Sequence, residues 1–489
     1  MKIIFKSKII KYNQSSVGFI YLPKEHQNKF DIGQQLKITV KLPNNDIIFF
    51  AKLRNHNRKG IYVPASVAKM NNLLNQSGLI TLTKVNGFFT KISYDGRIYI
   101  PQKYAIGLKL KQNEILLIEG IIDGKSYREF CQVKIRQKDS TTEYFCMFNP
   151  KVGKKKGIFS IESILSKNKY SFPNKLKDII KDFNYAFVNE KNVVMYYGNR
   201  VPIIIRTDFD PIKISYYLGC YFADGTKRGN SWGICASTFE QAKYYLKLHK
   251  EIIPDNSVIS SISFTDIKNQ EKSILIKKLV KQWKDKTGIK VEERRVRIID
   301  SNFNYSPKTN PFGSLVFKEH RQLTQIYYNR LLIYLFKKIE ITNNQKLALE
   351  FILGSLEGDG CVGVNGDLRI YSNLKELEIL KKIMQFTSYS FSAPIEGKNK
   401  GHIFIGSLEL IRNIPFLKDK LFIYYPKRRK LLRERLANTG CAQFLLNGTK
   451  TSNMLIGILK QKGILNEKSE LTKYGKQVQQ SLREFVDQS

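Results

Sequence analysis

"DPIKISYYLGCYFADG", Asp210 to Gly225, decides how the centre of this chain is read. Asp210 is a good N-cap, Pro211 fits the first helical position, and Gly225 suits a left-handed closing residue. The stretch predicts one helix over about 211–224, ending on Asp224. A second stretch, "TNNQKLALEFILGSLEGDG" from Thr342 to Gly360, opens with Thr342 and Gln345 in capping-box spacing and ends on Asp359 and Gly360. The same ending thus occurs twice, 135 positions apart (359 minus 224).

Each predicted helix carries small residues four apart, Gly219 with Ala223 and Gly354 with Gly358, so one face lacks bulk and another backbone fits against it. The simplest partner for each is the other. Packed in the same sense, they bring Asp224 and Asp359 to one end of the interface. Carboxylates at helix C-termini oppose the dipole by ~0.3–1 kcal/mol each, and two close together repel. A divalent cation reverses both penalties, and oxygen ligands suit Mg²⁺ or Mn²⁺. A single Asp-Gly after a helix is an ordinary turn. Two copies with matching small-residue spacing favour the shared site.

Composition points the same way. Of 489 residues, 82 are Lys or Arg against 42 Asp or Glu, a formal charge of +40 that nucleic acid best accommodates. With 42% hydrophobic residues the chain is long enough for about three domains. The opening "MKIIFKSKIIKYN" breaks its apolar residues with lysines, and no later run reaches a membrane span of ~18 residues. A soluble, cytoplasmic protein that works on nucleic acid and not on a membrane is expected. Six cysteines without CxxC pairing and five scattered histidines argue against structural zinc.

Residues 1–150 read as a β-rich domain of three ~40-residue units, marked by "GFIYLP" ending at Pro23, "KGIYVP" at Pro64 and "GRIYIP" at Pro101. The third, "DGRIYIPQKYAIGLKLKQNEILLIEG", resembles the AbrB-like swapped-hairpin DNA-binding family. "KGIYVP" does not extend to a GIY-YIG nuclease, because no YIG follows. "KVGKKKG" after Pro150 opens a linking segment, 151–205, with a helix at "FPNKLKDIIKDF". The tail, 438–489, reads as helix, turn, short hairpin and helix, either winged-helix-like or plainly helical.

"YLGCYFADG" and "ILGSLEGDG" resemble the paired LAGLIDADG motifs of homing endonucleases, and the resemblance extends over about 205–436. It implies an α+β fold: a pseudo-symmetric pair of αββαββα units, 206–340 and 341–437, forming a saddle over double-stranded DNA. One chain with both motifs implies a monomer. The resemblance makes Asp224 and Asp359 the metal-binding catalytic acids of a DNA endonuclease, while the preceding acidic position is Phe222 in one motif and Glu357 in the other. By position it assigns supporting basic roles to Lys338 in "FKKIE" and Lys427 in "YYPKRRK". Strand alternation puts Arg295 with Arg297, and Arg369 with Tyr371, on faces suited to a DNA groove, with Arg228 as a further contact. A non-cleaving regulator on this fold and an RNA splicing maturase acting on structured RNA remain alternatives. An intein lacks support, since the chain starts Met1-Lys2 and ends Gln488-Ser489.

Overall fold

A computed structural model describes residues 2–487 except 12–16, 31, 33–34, 43–45, 57, 64–67, 69–72, 85–86, 92–96, 123–124, 140, 148–155, 165–178, 181–182, 190, 198–199, 256–257, 267–270, 301–311 and 398. The chain divides into two units, residues 1–171 with 183–203, and residues 172–182 with 204–489.

In the first unit, strands form where β-branched residues alternate with polar ones. "QLKITVK" (Gln35–Lys41) turns Leu36, Ile38 and Val40 into a core shared with Phe49, Ile61 and Ile80. It lies inside a seven-stranded sheet ordered Lys2–Lys8, Ser77–Lys84, Gln35–Lys41, Asp46–His56, Arg58–Val63, Gly18–Tyr21, Ile10–Lys11. A six-stranded sheet repeats that order: Gly87–Lys91, Lys156–Ile164, Ile115–Ile122, Lys125–Lys138, Thr141–Met147, Arg97–Ile100. Four of the six corresponding strands start 79 or 80 residues apart (97 minus 18, 115 minus 35, 125 minus 46, 156 minus 77), and the other two 83 and 85 (141 minus 58, 87 minus 2).

The repeat is therefore one whole sheet and not the ~40-residue unit expected. "KGIYVP" supplies the neighbour of "GFIYLP", with Gly18 opposite Val63. A lone hairpin buries too little to stand by itself, whereas six or seven strands enclose a core. The second sheet also takes in Lys156–Ile164, so the β-rich region runs past the boundary expected at 150. The helix expected at 172–183 falls mostly outside the described residues.

The second unit is mixed α and β. Its first half runs α1 (Pro211–Asp224), β1 (Trp232–Ala236), α2 (Phe239–Ile252), β2 (Ile259–Asp266), α3 (Lys272–Thr287), β3 (Val296–Asp300), β4 (Ser314–Glu319) and α4 (Gln322–Thr342). The second half runs α5 (Gln345–Asp359), β5 (Gly360–Val362), β6 (Leu368–Asn373), α6 (Leu374–Met384), β7 (Ile395–Glu396), β8 (Lys400–Ile405) and α7 (Ser407–Leu417). The latter is the expected αββαββα order. The former departs from it twice: its first hairpin shrinks to a bridge between Gly225 and Ile234, and α3 is inserted between strands, making β2 and β3 parallel. The sheets are ordered β1-β4-β2-β3 and β5-β6-β8-β7.

After α7 come α8 (Pro426–Ala437), α9 (Gly440–Asn447), α10 (Asn453–Gln461) and α11 (Lys473–Asp487). The hairpin expected in the tail is a single bridge, Leu465 to Leu471. α11 buries Val478, Leu482 and Phe485, and Tyr474 donates to the Arg412 carbonyl, which ties the tail to α7. Among the described residues no helix is long and apolar enough to cross a membrane.

Candidate active site

Local chemistry starts α1 as read: the Asp210 carboxylate accepts from the Ile212 amide at 2.9 Å with Pro211 at the first position. The start of α5 is different. Asn344 is the cap, accepting from the Leu347 amide at 3.0 Å, while Thr342 ends α4 and bonds back to the Lys338 carbonyl. The endings differ too. Gly225 (φ −89°) and Gly360 (φ −68°) are extended and not left-handed. They are glycine because a Cβ would stand 2.2 Å from the Tyr221 carbonyl oxygen and 2.1 Å from that of Leu356.

α1 and α5 meet backbone to backbone. A Cβ on Gly219 would lie 2.1 Å from the Phe351 carbonyl oxygen, and one on Gly354 would lie 1.9 Å from that of Tyr216. Ser215 donates to the Leu347 carbonyl at 2.7 Å, and a Cβ on Gly358 would meet the Ala223 methyl at 2.5 Å. The partners advance together, 215 with 347, 219 with 351 and 354, 223 with 358, so the helices run in the same direction. Both aspartates accordingly arrive at one end.

There a Cβ on Gly358 would stand 2.9 Å from Asp224 Oδ2. Burial, then the charge of Asp359, pushes the Asp224 pKa up to about 7, against the pull of Arg428 and Lys227. Asp359 is more exposed, yet desolvation by its surroundings still raises its pKa, again opposed by Lys227 and Arg428. Two carboxylates thus share one end without full compensation. Among the described residues no three His, Cys, Asp or Glu cluster as a complete metal cage. A pair of oxygen donors fits a cation such as Mg²⁺, which takes one or two carboxylates and fills its other positions with water or phosphate.

Lys227 and Arg428, missed in the sequence, supply the nearest positive charge. Lys227 pairs with Glu376 and lies 4.6 Å from the centre of the Phe222 ring. Arg428 donates to the Gly358 carbonyl at 2.6 Å and the Glu357 carbonyl at 3.1 Å, capping α5 from the first turn of α8. Lys427, one residue earlier, is exposed. Lys338 lies on α4 beside the Tyr334 ring at 5.8 Å. The signal for Arg428 was the run "KRR", in which only the tertiary fold selects the member that turns inward. Other arginines of α8 are also structural: Arg429 donates to the Lys418 carbonyl at 2.8 Å and Arg435 to that of Val362.

The two residues at the odd acidic position sit in different surroundings. Phe222 packs on Phe336 and Phe351. Glu357 is buried, accepts from the Tyr216 hydroxyl at 2.8 Å, and has its pKa pushed up to about 7 by burial.

Outward strand faces flank this end. Arg297 lies opposite Ser263, and Ser263 opposite Ser314, so Arg297 shares its face with Ser314, Val316 and Lys318, away from buried Leu315 and Phe317. Arg295 is not on that strand: it sits in a 3₁₀ turn, paired with Glu292 at 3.1 Å. Arg369 and Tyr371 point together away from buried Leu368 and Ile370, with Arg369 held by Asp367 at 2.7 Å and Tyr371 near His402. Arg228 is exposed on the rim of a cleft of about 690 Å³ between Thr226 and Glu376.

No protein-family model and no curated protein matches this sequence. Among solved structures, it is similar to two of I-DmoI. One, in complex with DNA and Mn, is 14% identical, with 44% of this chain and 98% of the other covered and a TM-score of 0.22. The other, in complex with DNA and Ca, is 13% identical, covering 43% and 90%, also at 0.22.

Proposed function

We propose that residues 204–487 form a double-stranded DNA endonuclease of the LAGLIDADG homing type, its two halves set pseudo-symmetrically with their outward strand faces over the duplex. The observation that carries this reading is the same-sense pairing of α1 and α5, which delivers Asp224 and Asp359, both with raised pKa, to one end beside two basic groups. Asp224 and Asp359 would hold Mg²⁺ or Mn²⁺, which when bound lowers the pKa of water and offsets phosphate charge. Lys227 and Arg428 pull the carboxylate pKa values down against burial, and they would take the supporting basic role first assigned to Lys338 and Lys427. Arg297, Arg369 and Tyr371 face the groove, with Arg228 at the backbone. One chain carries both aspartates, so a monomer suffices. The duplicated β sheets add phosphate contacts and so affinity more than sequence choice.

A plasmid carrying the DNA that flanks the gene's own locus tests this. Wild type cuts in Mg²⁺ or Mn²⁺; Asp224→Asn and Asp359→Asn reduce cutting below detection while gel-shift affinity stays within a few fold. Site-specific binding without cutting would make the chain a regulator. Preference for structured RNA would make it a splicing maturase.

A further inference from the structure

Lys243, Lys247 and Lys250 stand at i, i+4 and i+7 on α2, and Lys277, Lys281 and Lys284 repeat that spacing on α3. All six are exposed, opposite the buried sides of their helices, which carry Tyr245, Leu248 and His249 on α2 and Leu275, Leu279 and Trp283 on α3. None forms an ion pair with a described residue. Like charges at this spacing repel along a helix, and Glu251, four residues past Lys247, is already paired with Lys213, so both stripes keep a positive excess. The helices touch through Phe239 and Trp283, with ring centres 4.7 Å apart. Beside that contact a cleft of about 450 Å³ is lined by Arg206, Lys243, Lys247, Lys250 and one carboxylate, Glu251, which is paired with Lys213.

This face lies away from the strands proposed to meet DNA. α2 covers the inner side of its sheet, where His249 bonds to Glu319 of β4 at 3.0 Å, and the lysines point outward from there. Arg297, Val316 and Lys318 occupy the sheet's other side. α3 has no counterpart in the second half, where β7 and β8 are joined by residues 397–399. A duplex seated on the strands is too stiff, over ~150 bp of persistence length, to wrap onto the helical face. The aromatic rings of α2 and α3 are buried or half-buried, so they offer no platform for unpaired bases. Lysines in rows act as point charges toward a phosphate backbone.

We propose that the lysine face of α2 and α3 binds the backbone of a second double-stranded DNA segment, so that one chain bridges two duplexes. The inference rests on the proposed function in one respect, that the strand face takes the first duplex.

The test uses the full chain, an immobilised duplex of the gene's own locus and a fluorescent duplex of unrelated sequence. Wild type captures the second duplex. Lys243→Glu/Lys247→Glu/Lys250→Glu and Lys277→Glu/Lys281→Glu/Lys284→Glu each lower capture about tenfold or more. Each also flattens its log–log salt slope by up to ~2.7, at ~0.9 for every phosphate left without its lysine. Both variants keep wild-type melting curves and bind the immobilised duplex within about twofold. Unchanged capture in both variants overturns the proposal, as does an RNA hairpin that displaces the second duplex better than DNA does. Should wild type fail to bind the locus duplex, the proposed function falls instead. The lysine face is then read by titrating the fluorescent duplex alone, and unchanged affinity in both variants overturns it.

Discussion

The halves built on α1 and α5 place corresponding strands at the centres of their sheets and fill the space behind them differently. Where β4 ends in Glu319 opposite Trp232, β8 ends in Ile405 opposite Leu368. Glu319 is fully buried and accepts from Thr324 at 2.8 Å and from Arg321, while His249 lies at 3.0 Å. Arg321 continues to Asp255 at 2.8 Å, and His249 to the Tyr328 hydroxyl at 2.9 Å. Burial pushes the Glu319 pKa up, but His249 and Arg321 more than offset it, so the carboxyl stays below its ordinary range. Ile405 and Leu368 are simply buried hydrocarbon. The same strand geometry therefore tolerates an ionic network or a pair of aliphatic side chains, provided that the network is complete.

Breaking the network should have the largest effect on stability. Glu319→Ala leaves Arg321 and His249 short of a partner and is expected to cost ~3–5 kcal/mol. Ile405→Ala removes only packing, at ~2–4 kcal/mol. Denaturant titration of both variants checks the order, and the comparison between halves breaks if Ile405→Ala is the costlier change.

The helix pair joining the halves should respond next. Gly354→Leu drives a side chain into the Tyr216 carbonyl, a backbone atom that cannot turn aside, so ~3 kcal/mol is expected, at the upper end of ordinary overpacking. Gly457 of α10 has open space around its Cβ position, so Gly457→Ala is expected to stabilise by ~0.5–1 kcal/mol. Thermal melts that rank these two changes the other way would dissolve the backbone-to-backbone contact.

The smallest effect concerns charge at the shared end. The Asp224 pKa is raised in the folded protein to about 7 from 3.8, so between those values the native state holds a proton that the unfolded chain has released. Stability is therefore greatest below pH 4 on this account, declines as pH rises to about 7 and is then level. Asp224→Asn should raise metal-free stability at pH 8 by ~1–3 kcal/mol, with little gain at pH 4. Melting curves at both pH values decide it, and added Mg²⁺ should stabilise wild type but not the variant. A variant less stable than wild type at pH 8 would show the carboxylate to be compensated already.

Much of the second unit was legible because its signals are local. An Asp-Pro start, small residues four apart (Gly219 and Ala223) and an Asp-Gly end lie within 16 residues of each other (210 to 225), so α1 and its packing face could be read together. The alternation that sets Arg369 and Tyr371 on one face was similarly plain. The β-rich unit was misread in period because three similar strands, ending at Pro23, Pro64 and Pro101, suggested three units. Two of them are corresponding strands of different sheets and one is a partner within the first, a distinction made by long-range pairing. The inserted α3 was hidden because the family pattern led from one strand directly to the next.

By itself the sequence determined that two helices end on aspartate, that each presents a face of small residues, and that the chain as a whole carries a large positive excess. Those properties depend on composition and on residues within a few turns of one another. Tertiary structure alone decided which cations meet the aspartates and which carboxylate joins them. Lys227 reaches Glu376 across 149 residues, Arg428 reaches Gly358 across 70, and Tyr216 bonds Glu357 across 141. No local periodicity encodes such pairings, because a long lysine or arginine side chain can settle on any acceptor that packing brings within reach. The close approach of α1 and α5 is what fixes that choice.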